Sequence, residues 1–138
     1  MFCDLDGLRR VSEVTVEDDY CLFANEAAVE LLPGSAAIVP KAHRPTVFDL
    51  TDAEVAATFQ LLREAQPLLD RRYRPDGYTI GWNCHAASGQ SIPHAHLHVL
   101  LRYADEPKAG HGLRWWLKQP DNRRPDPRAP GSGDRSYG

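Results

Sequence analysis

"GQSIPHAHLHVLL", residues Gly89 to Leu101, places three histidines at alternate positions of an otherwise largely apolar run. In an extended chain successive side chains point to opposite faces, so His94, His96 and His98 share one face with Leu100 while Ala95, Leu97, Val99 and Leu101 share the other. One face is then chemical and the other is core. At about 3.3 Å per residue, neighbouring histidines stand roughly 6.6 Å apart along the strand and the outer two about 13 Å. A single metal ion would require all three rings to lean inward, and neither close carboxylates nor a Cys-x-x-Cys pair stands nearby to complete a zinc shell. The expectation is therefore no metal and no cofactor. Just before the strand, "HAASGQS" (His85 to Ser91) brings small residues, a glycine and hydrogen-bonding side chains, which let backbone N–H groups approach an anion. The combination suits a phosphate held between turn and strand, with a neutral imidazole as nucleophile toward phosphorus and a protonated second imidazole neutralising the oxygens.

Outward from this run the chain reads as an α+β domain with an antiparallel sheet. Val11 to Val16 and Tyr20 to Phe23, separated by "EDD", read as a hairpin, and Ala36 to Val39, between "PGS" and "PK", as a third strand. "TDAE" is a capping box, Thr51 with Glu54, ahead of Val55, Phe59, Leu62, Leu69 and Tyr73 on one face of the one long helix. Pro67 predicts a kink or an early stop in it. "RPDGY" turns into a fourth strand, Thr79 to Trp82, and the histidine run is the fifth. "GLRWWLKQ" reads as a short helix or strand, and beyond Pro120 the Pro, Gly, Ser and Arg content predicts a mobile tail. The expected organisation is one domain over residues 1–118, including a short C-terminal extension, and a flexible basic tail over 119–138.

A chain of 138 residues supports one core, and its 42% hydrophobic and 25% charged residues are those of an ordinary globular protein. No apolar stretch approaches the roughly 20 residues of a bilayer span. Asp4, Asp6, Arg9 and Arg10 break any signal-peptide core, so the expected compartment is the cytoplasm with no membrane partner. Cys3, Cys21 and Cys84 are odd in number and far apart, unlike a disulfide framework. A net charge of −3 gives no reason to bind nucleic acid, although the Lys and Arg residues outnumber the acids eight to five beyond Leu101.

His94-Ala95-His96-Leu97-His98-Val99-Leu100, preceded by Gly89-Gln90-Ser91, resembles the signature of the histidine triad superfamily. "IVPKAH" (Ile38 to His43) is similar to that family's Pro-Lys-x-His segment, and Asn83 stands where the family places a phosphate-contacting Asn or Gln. The resemblance covers roughly residues 11–102 and implies a five-stranded antiparallel sheet with a long helix, a homodimer, and a small-molecule nucleotide as ligand. By that resemblance His96 attacks the α-phosphorus to give a nucleotidyl-histidine that water hydrolyses, His98 holds the phosphate oxygens or assists the leaving group, and His94 orients His96. Asn83 and Ser91 contact phosphate or leaving group, and Gln90 with the Gly89 backbone lines the same turn. The implied substrates include dinucleoside polyphosphates and nucleoside phosphoramidates.

Two departures from the family pattern stand out. Ser35 replaces the histidine of a Pro-Gly-His that supports the triad from behind, and Cys3 alone remains of a Cys-x-x-Cys zinc pair. The first keeps a second class of function open, a nucleotide-binding sensor or scaffold with little turnover. Asn25, after "CLFA", is the candidate for the ribose hydroxyls, and Lys108, His111, Arg114 and Lys118 are candidates for distal phosphates, with a solvated basic tail as the alternative. His43 reads as a surface or cap residue, Trp82, Trp115 and Trp116 as packing residues, and Cys84 lacks a base that would make it a nucleophile.

Overall fold

The computed structural model describes residues 4–25 and 32–126. Its centre is a five-stranded antiparallel sheet in the order β1-β2-β3-β5-β4, formed by Thr15–Glu17, Cys21–Asn25, Ala36–Pro40, Leu97–Arg102 and Gly77–Gly81. Asp18 turns β1 into β2 by accepting the Tyr20 and Cys21 amides, each at 2.8 Å. The long helix, α2 over Asp52–Tyr73, starts at the expected capping box: the Thr51 hydroxyl accepts the Glu54 amide at 3.2 Å and the Glu54 carboxylate accepts the Thr51 amide at 2.8 Å.

One sheet face packs on α2. Cys21, Phe23, Ala36, Ile38, Leu97, Val99 and Leu101 form a single cluster with Ala57, Leu61, Ala65 and Leu69 of the helix. The buried stripe of α2 is therefore Glu54, Ala57, Thr58, Leu61, Ala65 and Leu69, rotated from the expected one: Val55 and Phe59 are 38% and 46% exposed. Small residues bring the helix close to the sheet, and the bulkier apolar residues remain at its margin. Pro67 does not stop the helix. It lies on the exposed side of the helix, and buried Ala65 and Leu69 hold the helix on either side of it.

The opposite face carries the histidine side of β5 and a second cluster, Leu22, Ala24, Ala37 and Val39 under Leu8. Leu8 belongs to a helix the sequence reading missed. Residues Leu5–Val11 form α1, so the expected strand start at Val11 is wrong; Asp4 caps α1 by accepting the Gly7 amide at 3.0 Å. Arg9 ties α1 to Glu17 at 2.7 Å and Lys41 reaches the same carboxylate at 3.1 Å, which holds Glu17 down at about 2. Before β3, Gly34 takes φ +86°, and a Cβ there would stand 2.8 Å from the Tyr73 ring, so only glycine fits.

The C-terminal extension contains a short helix, α3 over Leu113–Leu117, and Leu113 lies against Gly81. Pro120–Asn122 forms one 3-10 turn. The rest of the expected tail, 127–138, and Cys3 lie outside the described residues. Among the described residues no helix is long and apolar enough to cross a membrane.

Candidate functional site

The β3–β5 ladder runs from Ala36↔Val99 to Ile38↔Leu97 and β5 itself begins at Leu97, so only His98 of the three histidines lies in the sheet. This corrects the expectation of one continuous strand. His94 and His96 are held instead by the segment that follows β3. The Ala95 amide donates to the Arg44 carbonyl at 2.6 Å, and His94 Nε2 lies 2.9 Å from the Pro40 carbonyl. Arg44 is itself fixed by Glu54, whose carboxylate it meets at 2.9 Å from the first turn of α2. The capping box thus also anchors the frame around the histidines.

These contacts assign the ring protons. A carbonyl oxygen only accepts, so His94 carries a proton on Nε2 toward Pro40 and His96 carries one on Nδ1, 2.9 Å from the His94 carbonyl. The His96 lone pair is then on Nε2, the nitrogen suited to attack an electrophile. His96 and His98 meet edge to face with ring centroids 4.5 Å apart, and the Asn83 amide nitrogen lies 3.5 Å from His98 Nε2, at the long limit of a hydrogen bond. Burial lowers the His98 pKa, and His96 adds to this as a like charge. Burial also lowers the His94 pKa, against the opposing pull of the Pro40 carbonyl, with His43 and His96 as further like charges.

This has a stability consequence. A histidine whose folded pKa lies below its unfolded value leaves stability unchanged at high pH and subtracts from it once the unfolded chain starts to take up the proton, below about pH 6.5. Thermal melts are expected to show Tm falling as pH drops from about 7.5 to about 5.5, and falling less in His98→Asn. An equal slope in that variant would show that His98 is not one of the groups responsible.

The turn before the histidines is built differently from the expectation. Gln90 spends its side chain on the turn itself: Oε1 accepts the His85 amide at 2.7 Å, and Nε2 donates to the Pro45 and Ile92 carbonyls at 2.6 and 2.9 Å. The Gly89 amide donates to Ala86 at 3.0 Å, with Gly89 at φ +98° and His85 at φ +69° giving the turn its shape. Gln90 and Gly89 are therefore framework; Asn83 stands beside His98, and Ser91 is an exposed residue three positions before His94 in sequence.

Asn25 is not brought there. It follows Cys21 and Phe23 on the α2 face, is 3% exposed, accepts the Glu13 and Val14 amides at 2.8 and 3.0 Å, and donates to the Tyr73 hydroxyl at 2.7 Å. Its amide joins β1, β2 and α2, which corrects the ribose role expected for it. Ser35 does not support the triad either: it is buried, and its hydroxyl accepts the Leu101 amide at 3.3 Å. The ring against His94 is that of His43, Nδ1 to Nδ1 at 3.3 Å and edge to face. His43 is exposed, as sequence reasoning expected; what that reasoning missed is its contact with His94, for which the Pro-Lys-x-His pattern was the available signal.

In the extension, His111 stacks on Trp115 with centroids 3.7 Å apart, and the Lys108 ammonium lies 4.7 Å over the Trp116 ring. Arg102 donates to the Thr79 hydroxyl, to the His111 and Lys108 carbonyls, and pairs with Glu106. Among the described residues no group of three His, Cys, Asp or Glu side chains has the arrangement of a metal site.

Known proteins with this pattern are consistent in kind. The chain is 29% identical over 72 residues to the asymmetrical bis(5'-nucleosyl)-tetraphosphatase of Schizosaccharomyces pombe, a match over 52% of this chain and 40% of that protein. It is 34% identical over 73 residues to the nitrilase and fragile histidine triad fusion protein NitFhit of Caenorhabditis elegans, covering 53% of this chain and 17% of that one. The chain thus spans less than half the length of either relative. The crystal structure of a HIT family protein from Bacillus anthracis superposes with a TM-score of 0.70 at 27% identity, over 88% of this chain and 83% of the other. The HIT domain model matches residues 9–105, which include the sheet, α2 and all three triad histidines, and on that match the chain belongs to the HIT domain family.

Proposed function

We propose that the protein is a nucleotide hydrolase or nucleotidyl transferase that cleaves at the α-phosphorus of a nucleotide through a covalent histidine intermediate. The observation that carries this is the His96 tautomer: with Nδ1–H given to the His94 carbonyl, Nε2 is the basic nitrogen, on a ring whose centroid lies 4.5 Å from that of His98. In the first step His96 Nε2 bonds to phosphorus as the bond from phosphorus to the leaving oxygen or nitrogen breaks. The developing imidazolium keeps its Nδ1–H on a carbonyl oxygen, an acceptor that stabilises the charge. His98 is neutral by virtue of its burial, and a phosphate beside it favours its protonated form, so bound substrate itself prepares His98 to protonate the leaving group. In the second step His98, now neutral, takes a proton from water, the hydroxide oxygen bonds to phosphorus, and the bond to His96 Nε2 breaks. The Asn83 amide and Ser91 hydroxyl hold the phosphate oxygens.

The substrate classes proposed are a dinucleoside polyphosphate, the substrate named for the Schizosaccharomyces pombe relative, and a nucleoside phosphoramidate, both of which present a nucleotide phosphorus to His96. The test is chromatographic release of AMP from diadenosine tetraphosphate and adenosine phosphoramidate. Release from either is the expected result. No release from either, with nucleotide binding retained, would favour the sensor or scaffold reading.

A homodimer is part of the proposal. β4 ends the sheet with its outer edge unpaired among the described residues, and Ile80, Phe59 and Val55 nearby are 38%, 46% and 38% exposed, an apolar margin a second copy would cover. The cytoplasm is the proposed compartment, supported by Cys21 and Cys84, both of which are free thiols.

A further inference from the structure

We infer that His43 is a positioning residue for the nucleophile, acting through His94. It supplies the ring contact that Ser35 does not, and the kinetic part of this inference rests on the reading of His96 as nucleophile.

The acceptor on the far side of His94 fixes its tautomer. The Pro40 carbonyl, 2.9 Å from Nε2, requires a proton there. His94 is 1% exposed and its burial disfavours a second proton, so its Nδ1 is an acceptor. The atom 3.3 Å from that acceptor is His43 Nδ1, which must then donate. Two carbonyls and three rings thus form one network: His43 Nδ1–H to His94 Nδ1, His94 Nε2–H to Pro40, and His96 Nδ1–H to the His94 carbonyl. With both its nitrogens engaged, the His94 ring cannot flip without breaking two contacts, and the carbonyl that orients His96 belongs to that same fixed residue. The neighbouring peptide is gripped from the same segment, because the Ala95 amide donates to the Arg44 carbonyl.

Burial keeps His94, the inner ring of the pair, neutral. The other titratable and charged neighbours act in the same direction or are neutralised. His96 adds to the cost of charging His94, and the Arg44 guanidinium is paired with Glu54 from α2. Residues 40 to 44 therefore do more than end a strand: they fix the ring of His94, whose carbonyl in turn sets the tautomer of His96.

Asparagine can place an amide N–H close to where histidine places Nδ1–H, whereas phenylalanine keeps the ring's bulk and removes the donor. The experiment is histidine-ring ¹⁵N NMR on the ligand-free full chain, with steady-state kinetics, for wild type, His43→Asn and His43→Phe. The expected spectrum has His94 as a neutral Nε2–H tautomer in all three, with its unprotonated Nδ1 shielded by an accepted hydrogen bond in wild type and His43→Asn and moved downfield in His43→Phe. The expected kinetics are kcat within about threefold of wild type for His43→Asn and down about tenfold for His43→Phe with KM within about twofold, the scale of one neutral hydrogen bond. If circular dichroism shows His43→Phe unfolded, His43→Ala, which also lacks the donor, takes its place with the same expectation. An unchanged His94 Nδ1 resonance in the variant without the donor, or equal loss of kcat in the asparagine and phenylalanine variants, would overturn the inference. The spectra need no substrate, so a failure of the nucleotidyl-transfer reading would leave them intact and be told apart from a failure of this one.

Discussion

Replacing His96 with alanine is expected to abolish nucleotide release, by about four to six orders of magnitude in kcat, the loss that follows removal of a nucleophile acting in concert with its partners. The expectation follows from the protons. His96 gives Nδ1–H to the His94 carbonyl at 2.9 Å and stands edge to face with His98, whose burial resists a proton until an anion is beside it. Removing the ring takes away the nitrogen that would bond to phosphorus, and His98 cannot replace it because it is needed to protonate the leaving group. The fold should survive, since His96 lies outside the β3–β5 ladder and the hydrogen bond to the His94 carbonyl is worth about 1 kcal/mol. Binding of AMP, followed by calorimetry, should persist because Asn83 and Ser91 remain. A variant that retains more than about a tenth of wild-type kcat would remove His96 from the role, since that is no more than the loss of one hydrogen bond.

Replacing Phe23 with alanine is expected to produce the opposite pattern, a loss of about 3 to 5 kcal/mol in stability with the chemistry of the folded fraction unchanged. Phe23 is fully buried on the α2 face of β2, in the cluster that joins the helix to the sheet. Its neighbours there are small or fixed: Ala57, Leu61 and Ala65 on α2 and Ile38 across the β2–β3 ladder, so the cavity left behind cannot close by side-chain movement alone. Urea denaturation followed by circular dichroism measures the loss, and turnover per folded molecule at low temperature measures what is left of the site. The histidines lie on the other side of the sheet, so that turnover should match wild type. A stability loss below about 1 kcal/mol would mean that the helix and sheet do not pack through this residue.

The histidine run was legible because its meaning is local. Alternation alone put Leu97, Val99 and Leu101 in the core and His98 on the opposite face, as the buried cluster has them. The capping box of Thr51 and Glu54 was equally local, and it starts α2 where expected. What the sequence could not convey was mostly long-range. The buried stripe of α2 is chosen by how close the sheet allows the helix to come, so Ala57, Thr58 and Ala65 displace the larger Val55 and Phe59. Asn25 looked like a ligand residue, yet its partners, the Glu13 and Val14 amides and the Tyr73 hydroxyl, come from β1's approach and the far end of α2. Gln90 looked like part of a phosphate cradle, and the carbonyl that claims it, Pro45, is 45 residues away in sequence. His43 was the converse: its neighbour in sequence suggested surface, and its partner, His94, is 51 residues on. α1 was missed for a local reason, since its seven residues include a glycine and carry too little apolar periodicity to stand out from an extended start.

The central claim is that a covalent bond forms between His96 and the nucleotide. The most direct test is the stereochemical course at phosphorus. An adenosine substrate with a chiral α-phosphorothioate, hydrolysed in ¹⁸O-water by the wild-type protein, gives a product whose configuration ³¹P NMR can assign. Two in-line displacements, first by His96 Nε2 and then by water, each invert the centre and together return it. Retention of configuration is therefore the predicted result. Inversion would mean that water attacks phosphorus directly, and would contradict the account.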